Sequence, residues 1–203
     1  MLENDKIFLL SFILRTGMYV YPTDEFTIQS FLNGYEMGKG KGNDFDFMLQ
    51  LEGYLKEKHK LPISNTRWHG QIVSYAKKKS ISWYTAFRKI SLEILATDKN
   101  GGFNEEMKSI LKVFIGNLIN QIGTTPPSFY DRQWHNERWV ENYLTFVPIK
   151  NAWFKALWNK KEFQVLKSIH QLILKEITSE PDIVYSPTET LLELKNRYKS
   201  LQH

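Results

Sequence analysis

The chain has 203 residues, 42% apolar and 14% aromatic, and no cysteine. It is long enough to bury a sizeable core and too apolar to be disordered, and it excludes disulfides, thiol catalysis and cysteine-ligated metals. The formal charge of +5 is spread evenly, with 14 basic and 11 acidic side chains in residues 1–100 and 13 and 11 in the rest, so the sequence lacks the basic stripe of a nucleic-acid binder.

Taken in order, Ile7, Leu10 and Leu14 share a helical face that Phe8, Phe12 and Ile13 widen, which predicts an enclosed first helix stopped at Gly17. This apolar run is far shorter than the ~20 residues of a spanning helix. With Asp5 before it and Arg15 after it, it does not read as a signal peptide, so a cytoplasmic protein is expected. Asp24 and Glu25 precede a helix whose inner face is Ile28, Phe31, Leu32 and Tyr35. Residues 38–43 read as a connector, and Asp44 is the expected cap of a helix carrying Leu51, Tyr54 and Leu55.

Trp68, Ile72, Tyr75 and Ala76 predict a further amphipathic helix, closed by Lys77-Lys78-Lys79. That run, the only basic cluster along the chain, reads as a solvated cap at the negative pole of the helix. Ser82 opens a helix with Phe87, Ile90 and Ile94, and Asn100-Gly101-Gly102 is the expected boundary between an N-terminal half (1–100) and a C-terminal half (103–203).

Beyond it, Met107, Ile110, Leu111, Phe114, Ile115, Leu118, Ile119 and Ile122 form a long stripe closed by Gly123, expected to be the central helix of this half. Residues 128–158 are dense in aromatics and predict short helices broken near Pro148. Phe163, Leu166, His170, Ile173, Leu174 and Ile177 mark another helix. Ser186-Pro187-Thr188-Glu189 reads as a capping box opening a terminal helix with Leu191, Leu194 and Tyr198. Only Asp182 to Tyr185 could be a strand. The expected fold class is all-α, about ten helices.

Chemistry is sparse. His135 stands four residues after Asp131, a spacing that lets a carboxylate orient an imidazole, but no nucleophile or third group accompanies them. A hydrolase or nuclease using Asp131 and His135 is therefore an alternative, as is a nucleic-acid-associated helical protein. His59, His69, His135 and His170 are scattered, so no metal site and no cofactor are expected. The glycines at 38, 40 and 42 join two helices, whereas a phosphate-binding loop follows a strand. Trp134, His135, Glu137, Arg138 and Trp139 have the composition of a protein interface and are the expected partner-binding residues.

Arg15-Thr16-Gly17-Met18-Tyr19 resembles the Arg-Pro-Gly-Met-Tyr turn near the start of a group of small helical bacterial proteins encoded beside polymorphic toxins, with Thr16 in the place of Pro. Phe31-Leu32-Asn33-Gly34-Tyr35 is similar to their Phe-x-x-Gly-Tyr helix, and Trp68 to Ile72 and Trp83 to Phe87 resemble their later aromatic motifs. The resemblance covers residues 7–95 and implies an immunity protein: no active site, and a protein toxin as partner. The Arg-Pro-Gly-Met-Tyr string also occurs in the ATPase region of type II topoisomerases, but that fold needs a mixed sheet. Arg197 and His203 have a spacing similar to that of the helical HEPN ribonucleases, with His203 at the last position.

Overall fold

Every regular element is helical among the residues described by the computed structural model, which are 2–39, 46–63, 65–97, 102–124, 132–177 and 183–202. Among these residues there are ten α-helices: α1 (Leu2–Leu14), α2 (Glu25–Gly38), α3 (Phe47–His59), α4 (Arg67–Lys79), α5 (Trp83–Thr97), α6 (Glu105–Asn120), α7 (Arg132–Phe146), α8 (Ala152–Lys155), α9 (Lys160–Glu176) and α10 (Glu189–Ser200). The fold is all-α. The chain divides into two compact units, Met1–Met107 and Lys108–His203, so the division falls inside α6, a few residues after the boundary expected at 100–102. Of that expected boundary, Asn100 and Gly101 lie outside the described residues, as do Gly40, Gly42, Asp44, Asp131 and His203.

The first unit is organised around α5, which packs on α1, α3 and α4. In α1, Leu9, Leu10, Phe12 and Ile13 are fully buried. Its end differs from the expectation: Gly17 does not adopt a left-handed conformation. Instead the Thr16 hydroxyl donates back to the Phe12 carbonyl (2.9 Å), and a 3₁₀ turn over Thr16–Met18 follows. Asp24 caps α2 by accepting from the Thr27 N–H (2.8 Å). Phe31 and Tyr35 of α2 then stack on Phe12 and Phe8 of α1, each pair 4.6 Å between ring centroids, and the Tyr35 hydroxyl donates to Asp5 (2.7 Å). The Arg15–Gly38 stretch is thus an aromatic clasp between two helices.

The cap of α3 is Asp46, which accepts from the Leu49 N–H (3.0 Å). Glu52 lies opposite Trp68, accepting from its backbone N–H (3.3 Å), and the His59 ring meets Tyr75 at 4.8 Å. These two pairings require α3 and α4 to run side by side in the same direction.

In the second unit the apolar stripe of α6 is the centre. Trp139 of α7 donates its indole N–H to the Leu118 carbonyl (2.9 Å), Phe146 meets Phe114 edge-on (5.0 Å), and Lys112 faces Glu162 of α9 (3.8 Å). Gly123 closes the stripe at φ +72 and donates its N–H to the Val184 carbonyl (2.6 Å). The buried Lys195 ammonium of α10 donates to the Ile122 carbonyl. Most aromatics of 139–158 are core, with Trp139, Tyr143, Phe146, Phe154 and Trp158 all buried.

Two expectations fail here. The capping box belongs to α9, where Asn159 accepts from the N–H groups of Lys161 and Glu162 while Glu162 accepts from the Asn159 N–H. The cap of α10 is Thr188, two residues past Ser186, because the Thr188 hydroxyl is anchored by donating to Glu176 (2.7 Å). Residues 183–185 form a turn, so the described part of the candidate strand is not one.

Candidate functional site

Helix α7 has two faces of opposite character. Trp139 and Tyr143 stack inward (5.1 Å, 16° between planes), and Asn136, also buried, accepts from the Val184 N–H (2.9 Å). That bond holds the 183–186 turn against the helix. Trp139 is 2% exposed, so of the five residues expected to meet a partner it is the one the structure places in the core.

Of the others, Trp134, Glu137 and Arg138 are exposed, and His135 is half-buried on the flank between the two faces. Trp134 is 47% exposed, and the Arg138 guanidinium lies over its ring at 5.1 Å, one turn along. Such an i, i+4 cation–π pair lets the indole stand out from the surface with little rotational freedom left to lose on binding. Beside it Gln133 donates to Glu137 (2.9 Å). His135 and the Tyr185 hydroxyl share a hydrogen bond through Nδ1, and Arg132 covers the Tyr185 ring (5.4 Å) while donating to the Ser186 hydroxyl (2.8 Å). Burial, and secondarily Arg138, push the His135 pKa down, which favours a neutral imidazole at neutral pH.

Tyr185 and Ser186 were not legible as site residues. They lie about fifty positions from α7, and long-range bonds from Asn136, His135 and Arg132 bring them to it. Asp131 lies outside the described residues, so what the structure gives His135 is a phenol.

The first unit holds a cleft of about 420 Å³ where the N-terminal ends of α3 and α4 meet α2. Its lining is mixed, with Gln29, Asn33, Glu52, Arg67 and His69 beside Met48, Leu49 and Trp68. Arg67 opens α4 at φ +49, a left-handed conformation uncommon for a residue with a side chain. His69 pairs with Glu25 of α2 and lies beside Phe26, which is 71% exposed.

The remaining histidines have separate surroundings. His59 sits between Tyr54 and Tyr75, and His170 stacks on Tyr143. Among the described residues no three His, Asp or Glu side chains converge as a metal site requires, and no helix is long and apolar enough to cross a membrane. Comparison of the chain with protein-family models, with characterised proteins and with solved structures gave no match.

Proposed function

We propose that this chain is a non-catalytic protein-binding protein that neutralises a bacterial protein toxin in the cytoplasm by direct contact. The observation that carries the binding role is the outward face of α7. There Trp134 is held exposed by Arg138, and on the flank of the same helix Arg132 and His135 fix Tyr185. Trp, Tyr and Arg are the residue types that dominate interface energetics, and a surface already ordered loses little entropy on docking. The toxin assignment rests on the resemblance of residues 7–95 to immunity proteins, in which Arg15–Gly38 is scaffold and the partner is met elsewhere.

The test is co-expression with the product of the adjacent gene. The reading expects protection from growth arrest and a complex that co-purifies. The double variant Trp134→Ala/Arg138→Ala should weaken that complex at least about tenfold, the loss of one strong anchor. Neither complex nor protection would overturn the toxin assignment, while a complex indifferent to the double variant would remove α7 as the interface.

A further inference from the structure

The even spread of charge along the chain hides a concentration in space. Because α3 and α4 run in the same direction, their C-terminal turns lie together. These turns carry Lys56, Lys58 and Lys60 on one strand of chain and Lys77, Lys78 and Lys79 on the other, all six exposed. His59 marks the junction: its ring touches Tyr75, and Lys58, Lys78 and Lys79 all stand close enough to act on its proton.

Two parallel helix ends together present about one negative charge, which calls for some lysine. Among the described residues Glu57 and Glu93 are the carboxylates on and beside these turns, and Lys58 faces Glu93 at 3.9 Å. Against six lysines these terms leave a surplus of about three positive charges, more than capping needs. Among the described residues Lys56, Lys60, Lys77, Lys78 and Lys79 join no ion pair.

The character of the patch selects its ligand. Among the described residues it has no arginine and no exposed aromatic side chain. Tyr75 is 9% exposed, and the part-buried Tyr54 ring is covered by the Lys58 ammonium (5.0 Å) with its hydroxyl donating to Glu93 (2.5 Å). Protein interfaces are depleted in lysine and rely on aromatic and arginine anchors, so this surface is unlike one. Single-stranded nucleic acid needs ring faces for its bases, and none is offered. An array of solvated point charges suits the phosphate backbone of a duplex. We infer that the paired C-terminal turns of α3 and α4 form a sequence-independent docking surface for duplex nucleic acid. This inference uses none of the α7 residues and does not depend on the toxin reading.

Fluorescence anisotropy with a labelled, mixed-sequence DNA duplex of about 20 base pairs tests this on the full chain, across about 25 to 200 mM salt. The expected result is binding whose logarithm falls linearly with that of salt, with a slope of about −3.6 to −4.5 for four or five neutralised phosphates. Lys77→Glu/Lys78→Glu/Lys79→Glu should weaken binding more than about tenfold, and the gentler Lys→Gln triple at the same positions should weaken it less while keeping both helix ends uncrowded. Reversing Lys155, Lys160 and Lys161 changes net charge equally at another place and should cost less than about threefold. Circular dichroism verifies that each variant is folded. Absence of binding at the lowest salt, or equal loss from both reversals, would overturn the inference. A single strand bound as tightly as the duplex would also overturn it. So would an equally bound decaglutamate, which would point to an acidic protein instead.

Discussion

Trp134 and Trp139 are five residues apart on one helix and have nothing else in common. In sequence both sit among charges and amides, and composition alone assigns both to an interface. The difference is angular: five residues turn a helix by about 140°, enough to carry one indole to solvent and the other against α6. A periodic reading of α7 as Asn136, Trp139, Tyr143 and Phe146 would have separated them, since that i, i+3, i+7 series is its inner face. Trp139→Ala removes a buried indole and orphans the Leu118 carbonyl it serves, so it should cost about 3–5 kcal/mol in denaturant unfolding. Trp134→Ala loses a solvent-facing cation–π contact and should cost less than about 1 kcal/mol. Equal costs would mean that α7 is not oriented as described.

At the scale of the element, stripes were legible and ends were less so. The faces of α2, α4, α5 and α6 follow from apolar spacing because burial selects that spacing directly, whereas on α9 the expected Leu174 is 48% exposed and the buried Val165 and Ile169 were not in the expected series. Caps are decided by which of several nearby polar side chains reaches a backbone N–H, and that depends on neighbouring elements. Glu176 anchors Thr188 from another helix, and no local pattern at 186–189 contains that information. The two glycines that stop and fill helices make the point quantitatively. Gly123 has φ +72, and an added Cβ would lie 2.6 Å from a Leu192 methyl, so Gly123→Ala combines left-handed strain with a clash and should destabilise by about 1–3 kcal/mol. Gly53 lies inside α3 with nothing within 4 Å of the same position. There Gly53→Ala should stabilise by up to about 1 kcal/mol through helix propensity. Thermal or urea unfolding reads both, and the opposite signs are the test.

At the scale of the whole molecule, what the sequence concealed was juxtaposition. The direction of α3 relative to α4 puts three lysines beside three others, and the Asn136 anchor puts Tyr185 beside His135. Neither follows from periodicity, since both depend on contacts between separated segments. The histidines show the same dependence, and together they set a pH response. Burial is the leading cause that lowers the pKa of His59, His135 and His170 from the ordinary 6.5. Lysines 58, 78 and 79 reinforce it at His59 against an opposing Glu93, Arg138 does so at His135, and Lys150 at His170. A histidine whose folded pKa is depressed binds its proton in the unfolded chain first. Stability is therefore full above about 6.5 and falls as pH drops from there towards the folded values, because protonation rewards unfolding. Carboxylates, with ordinary values near 4, are nearly silent between about pH 7.5 and 5.5, which isolates the imidazoles in that window. The urea midpoint should fall across it, and His170→Gln, which removes one of the three, should make the fall shallower. A midpoint that stays level or rises on acidification would show that these imidazoles are not held neutral by the fold.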